Sequence, residues 1–218
     1  MLKLITFSGL DGSGKSTQIE LLKNYLKSQD KTFFYFHAVE FSVGNICRRP
    51  TSTREKSVIK ANWIEIQLRK IALMIDICRF RRLVKRKKVD YIISDRYFYD
   101  SVVNILFLSS CHSERSEAKS RNLHGNHPDP STPSCRGRIP VGMTIIEKHI
   151  PKPDFAFYID AKPETIMQRE RKPDQGMEYL VAKEKLFADK IKDWNMIVID
   201  GEKNKEEIFD EIKSKINV

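Results

Sequence analysis

The chain has 218 residues, 40% of them hydrophobic and 31% charged, and 39 Lys and Arg against 29 Asp and Glu give a formal charge of +10. That suits one globular domain with a sizeable core, while the longest apolar runs fall far short of the ~18–20 residues of a membrane span. No apolar leader precedes the first strand, so a cytoplasmic location is expected, and Cys47, Cys78, Cys111 and Cys135 form no C-x-x-C pair, which favours reduced thiols over zinc.

In chain order, strands are expected at 2–7, 32–39, 91–94, 155–159 and 196–199, and helices at 16–28, within 58–86, and at 144–149, 163–171, 178–192 and 205–216. Strand and helix alternate, and several strands are short continuous apolar runs. This predicts an α/β fold of three layers, α/β/α, around a mainly parallel five-stranded sheet. In the long helix, Ile64, Leu68, Ile71, Ile75 and Cys78 form a helical stripe read as core. The basic run Arg79, Arg81, Arg82, Lys85, Arg86, Lys87 and Lys88 ends the same helix. With no aromatic-rich basic motif beside it, it reads as a solvated helix end rather than a nucleic-acid surface.

One segment breaks the rhythm. Between Ser109 and Pro140 the only large aliphatics are Leu123 and Ile139. Such a stretch cannot offset its ordering entropy, so 109–140 is expected to be a disordered insertion within a single domain, 1–218. Its His112, His124 and His127, with Cys111 and Cys135, match no zinc spacing.

Three short segments carry chemistry. Gly9-Leu10-Asp11-Gly12-Ser13-Gly14-Lys15-Ser16, followed by Thr17, fits G-x-x-x-x-G-K-[ST] between a strand and a helix. By chance the bare pattern would occur in a chain this long roughly one time in a hundred. Glycines let backbone N–H groups turn toward an anion at a helix N-terminus. Lys15 would reach the outer phosphates of a nucleoside triphosphate, and the Ser16 hydroxyl would ligate magnesium. The second segment, Asp95-Arg96-Tyr97, closes the third strand, at the sheet edge where ligands of parallel sheets sit. Asp95 there can hold magnesium or its waters, and Arg96 can clamp an acceptor phosphate. The third, Arg169-Glu170-Arg171 before a Pro- and Gly-containing loop, suits a lid over 169–178.

Together with Pro153-Asp154-Phe155-Ala156-Phe157-Tyr158-Ile159-Asp160, these segments resemble the thymidylate kinase family of P-loop kinases, in the family's order and over most of the chain. The resemblance implies a P-loop NTPase fold, ATP and magnesium as co-substrate and ion, and transfer of the γ-phosphoryl group to dTMP. It implies that Asp11 faces the acceptor sugar and Arg96 its phosphate, that Asp95 organises magnesium and the attacking oxygen, and that Lys15, Arg169 and Arg171 stabilise the transferring group. It also implies a homodimer, for which the long helix offers a contact face. Three positions depart from the family. Ser8 replaces a glutamate, Ile71 and Ile75 stand where a thymine-reading Phe and Arg are usual, and 40–44 lacks an arginine or proline. The acceptor base is therefore open, with a different nucleotide or nucleoside kinase, or a catalytically weak nucleotide-binding module, as alternatives. Neither D-x-x-G nor N-K-x-D is found in the places a GTPase needs them.

Overall fold

The computed structural model describes residues 2–42, 63–122, 142–169 and 173–216, the side chains of 111–122 excepted. Five strands form one sheet: β1 (Lys3–Gly9), β2 (Phe33–His37), β3 (Tyr91–Asp95), β4 (Phe155–Asp160) and β5 (Ile197–Asp200). They lie in the order β2-β3-β1-β4-β5, and every pairing is parallel. The helices are α1 (Lys15–Ser28), α2 (Ala38–Phe41), α3 (Trp63–Arg86), α4 (Phe98–Asn122), α5 (Met143–Lys148), α6 (Pro163–Gln168), α7 (Gly176–Ile191) and α8 (Lys205–Ile216). The three-layer parallel α/β fold expected of the sequence is the fold observed.

Alternation along each strand divides the core in two. Ile5 and Phe7 of β1, Ile93, Phe157 and Ile199 face α1 and α8, where Ile19, Leu22, Leu26, Ile208 and Ile212 close the layer. Leu4, Ile92, Ala156 and Tyr158 face the other way, onto α3, α4, α5, α6 and α7. Burying one such aliphatic side chain contributes about 1.5–3 kcal/mol, so both layers need these continuous apolar strands. Asp154 fixes the register of β4 on β1: its carboxylate accepts from Leu4 N at 2.7 Å and its own N donates to Leu4 O at 2.9 Å.

Three expectations change. The stripe Ile64, Leu68, Ile71 and Ile75 is 63, 58, 57 and 44% exposed, and Cys78 is exposed with it. The buried face of α3 is instead Ile66, Leu73, Ile77 and Phe80, with Phe80 packed at 4.6 Å from the Phe36 ring. This helix is apolar on two faces, and periodicity alone cannot choose which one meets the sheet. Second, α4 was missed: it runs on from Tyr97 and reaches Asn122, so 109–122 continue a helix instead of opening a loop. Residues 123–140 of the expected insertion, with His124, His127 and Cys135, lie outside the described residues, as does residue 141. Third, α6 ends at Gln168, where Arg169 turns extended; Arg171 lies outside the described residues, as do Cys47 and residues 43 and 44. No helix among the described residues is long and apolar enough to cross a membrane.

Candidate active site

The sheet order puts β1 and β3 side by side, with Phe7 in register with Asp95. Their carboxyl ends therefore deliver the phosphate loop and the Asp95-Arg96 pair to one edge. At the mouth of the loop, Gly9 has φ +144°, and a Cβ there would stand 2.7 Å from Ile159 O. Only glycine permits that approach to β4. Gly14, at φ +98°, caps α1 and turns the chain into the helix. Backbone bonds Ser13 N to Leu10 O and Thr17 N to Gly14 O close the loop.

Lys15 lies inside this loop, 5% exposed. Its Nζ donates to Leu10 O at 2.6 Å, Gly9 O at 3.1 Å and Ser13 Oγ at 3.3 Å. Burial and the nearby Arg96 lower its pKa to about 8, against the opposing pull of Asp100, Asp11 and Asp95. Beside it, Ser16 Oγ and Asp95 Oδ2 are 3.5 Å apart, and Tyr35 OH donates to the same carboxylate oxygen at 3.2 Å. A hydroxyl and a carboxylate are hard oxygen donors, the kind that suit magnesium held also by substrate phosphates.

Arg96 takes a left-handed backbone, φ +54°, directly after β3, with its N–H donating to Phe7 O. That turn aims its guanidinium at Asp11, which it meets at 2.5 Å from Nη2 to Oδ1. Tyr179 of α7 donates its hydroxyl to the other Asp11 oxygen at 3.0 Å. Burial alone would raise the Asp11 pKa; Arg96, Lys183 and Lys15 outweigh it and hold the carboxyl below its ordinary range. Arg96 is likewise held above its ordinary value: burial pulls it down, but Asp11 and Asp100 prevail.

Behind this pair lies Asp100, one turn into α4. Its Oδ2 accepts from Ser8 Oγ at 2.6 Å and from Tyr97 N at 3.2 Å. Burial raises its pKa, only partly offset by Lys15, the Ser8 hydroxyl, Arg96 and Lys183. The site thus has an acid bonded to Ser8 but carried on a different element. Arg169 reaches the loop from the far side, donating Nη1 to Gly12 O at 2.6 Å and Nη2 to Gly201 O at 3.2 Å. It engages the backbone of the loop.

The sequence pattern had placed Gly9, Asp11, Gly12, Ser13, Gly14, Lys15, Ser16, Thr17, Asp95 and Arg96, and the fold gathers all of them at this edge. Ile71 and Ile75 face outward on α3, and Arg79 is tied to Phe41 O at 2.9 Å and Asp76 at 3.0 Å. Sequence reasoning missed Tyr35, Asp100, Tyr179 and Lys183. Two signals existed: an acid three residues after Tyr97 at a helix start, and a lysine in phase with Leu180 and Phe187 on the buried side of α7.

Known proteins are similar to this chain in sequence. The family model for thymidylate kinase matches residues 7–105, which run from the phosphate loop through Asp95-Arg96 into α4. A thymidylate kinase of Thermosipho africanus is 26% identical over 96% of this chain and 95% of its own length. A probable thymidylate kinase 1 of Saccharolobus solfataricus is 24% identical over 97% and 95%, and a probable thymidylate kinase of Methanocaldococcus jannaschii 26% over 95% and 92%.

Proposed function

From the premise that this chain is a relative of the thymidylate kinases, we propose that it is an ATP-dependent nucleotide kinase that phosphorylates dTMP to dTDP. The single observation that carries the reading is the junction of Asp11 and Arg96. It joins a phosphate loop, which alone would serve any nucleotide hydrolase, to an anion clamp on the neighbouring strand. A loop with its own arginine partner at the next strand end is half of a two-substrate site.

The chemistry follows from these groups. An acceptor phosphate oxygen attacks the γ-phosphorus, and the bond to the β-phosphate oxygen of ADP breaks. Catalysis is then positioning and charge stabilisation. Loop N–H groups and Lys15 bind the donor phosphates, while Arg96 holds the acceptor phosphate in line. Asp11 keeps Arg96 oriented and offers its remaining capacity to the acceptor sugar. Ser16 and Asp95 would hold magnesium, which neutralises charge on the donor oxygens when bound. Arg169 holds the loop in shape through Gly12, and with Arg171 belongs to a lid at 169–178. The whole chain acts as one kinase domain in the cytoplasm, with 109–140 as an insertion within it.

The exposed stripe of α3 supports a second copy of the chain as partner. Ile64, Leu68, Ile71 and Ile75 make one exposed apolar row along a 24-residue helix, the kind of surface a two-fold dimer buries.

The test is a panel of monophosphates and nucleosides with ATP and magnesium, read as ADP formation. Turnover of dTMP above all others is expected. Turnover of a different acceptor, or ATP binding with no transfer, would replace the reading.

A further inference from the structure

Two lysines of α7 lie on its buried face, Lys183 and Lys190. Lys190 is partnered, with Glu147 at 2.9 Å and Asp193 at 3.7 Å. Lys183, only 5% exposed, has neither a hydrogen-bond acceptor nor an ion pair within 4.0 Å among the described residues. Its Nζ stands 4.6 Å from the centre of the Tyr179 ring. The ring and the more distant carboxylates offset part of the cost of holding this ammonium in a mostly buried side chain, but none of them accepts its hydrogens.

Its surroundings show what it faces. The groups that act on Lys183 electrostatically are Asp11, Asp100 and Arg96, which form the acceptor side of the site. Asp11 is already engaged by Arg96 and Tyr179, and Asp100 by Ser8 and the Tyr97 N–H. Both acids therefore balance the charge of Lys183 from beyond contact distance while bonding elsewhere. Burial lowers its pKa, and these two carboxylates pull the other way. The lysine is in this way a cation with no protein acceptor among the described residues, lying over the ring of Tyr179, whose hydroxyl bonds the same Asp11 that pairs with Arg96. Its helix begins at Gly176, inside the segment 169–178 proposed above as a lid.

We propose that Lys183 is an acceptor-binding residue, donating its ammonium hydrogens to the phosphate of the nucleoside monophosphate alongside Arg96. This rests on the kinase reading above. A phosphate dianion brings more lone pairs than one guanidinium uses, and it would supply the acceptor that the fold withholds from Lys183.

Lys183→Met keeps the length and apolar stem of the side chain and removes the charge. In steady-state kinetics the KM for dTMP should rise about 10- to 100-fold, the loss expected for a charge-assisted hydrogen bond. The KM for ATP should stay within twofold, and Lys183→Arg should recover most of the loss. Calorimetry with dTMP and with thymidine separates phosphate from sugar recognition: dTMP binding weakens in Lys183→Met and thymidine binding does not. A dTMP KM within twofold of the unaltered protein overturns the inference. So does a Lys183→Met variant that melts lower and regains both stability and dTMP affinity on adding Asp100→Asn, because the lysine would then be a structural counter-ion. If the unaltered protein turns over no dTMP, the kinase reading fails separately. The same titrations with AMP, GMP, CMP and UMP then decide the lysine, and binding of none of them, or binding that ignores Lys183, overturns it.

Discussion

The halves of the site that we propose for donor and acceptor are built from different materials. The donor half is backbone: Gly9 pressed against Ile159 O, Gly14 turning into α1, and loop carbonyls folded around Lys15. Its parts lie within eight consecutive residues. The acceptor half is side chain: Asp11 from the loop, Arg96 from the end of β3, Asp100 from α4, and Tyr179 and Lys183 from α7. Backbone geometry constrains sequence locally and few residue types satisfy it. A side-chain cluster assembled from four elements can be rewired by changing where each charge is carried.

Lys15→Ala tests the donor half hardest. Removing a preorganised cation aimed at developing phosphate charge should lower kcat with dTMP by about 10³-fold. Because Lys15 is buried with its charge disfavoured, thermal stability should not fall with activity. Single-turnover transfer from labelled ATP together with a melting curve checks both. Kinase activity that survived the change would remove the phosphate loop from the mechanism.

Arg96→Ala is the matching cut on the acceptor side. It should raise the KM for dTMP about 100-fold while leaving ATP binding within a few-fold, since the arginine meets Asp11 and not the loop carbonyls. Equal losses for both substrates would mean the halves are one unit, and the contrast drawn between them would dissolve.

The same contrast explains what the sequence made legible. Glycine spacing, Lys15, Ser16 and the strand-end Asp95-Arg96 could be read directly, because each is set by a strand-loop-helix junction a few residues long. The parallel sheet was legible for a related reason: strands covered on both faces must be continuously apolar. The buried side of α3 was not, because Ile64, Leu68, Ile71 and Ile75 compete with Ile66, Leu73, Ile77 and Phe80 for the same periodicity. Only the aromatic cluster of Phe36, Phe80 and Phe98 decides between them. Asp100 shows the other limit. Ser8 reads as a missing acid on β1, yet a carboxylate 2.6 Å from its hydroxyl arrives from α4, 92 residues later in the chain. No local pattern links the two positions before the fold brings them together.

Acidity sharpens the comparison further. The Lys15 pKa falls from its ordinary 10.5 to about 8, so the free protein loses that charge as pH rises past about 8. The ratio kcat/KM for ATP should then drop about tenfold per pH unit above that point. Stability should move the opposite way. Between about 8 and 10.5 the unfolded chain holds the proton that the folded chain has released, so this lysine's contribution to stability increases with pH across that window. Rate profiles and melts on the same samples distinguish this from general alkaline unfolding, in which both would fall together.

Tyr179→Phe should give the smallest effect. It removes one hydroxyl donated to Asp11 and keeps the ring that lies against Phe107 at 5.3 Å and under Lys183 at 4.6 Å. Arg96 still holds the other Asp11 oxygen, so the carboxylate stays ionised and roughly in place. Losing one hydrogen bond to a charged group while its main ion pair survives should raise the KM for dTMP about fivefold, at the modest end of such deletions. The KM for ATP should not move. Because Asp11 belongs to the loop by sequence and to the acceptor side by contact, it is the one residue that both halves share. A Tyr179→Phe change that altered ATP affinity as much as dTMP affinity would show that its effect passes through Asp11 into the loop, and that the backbone half depends on the side-chain half for its shape.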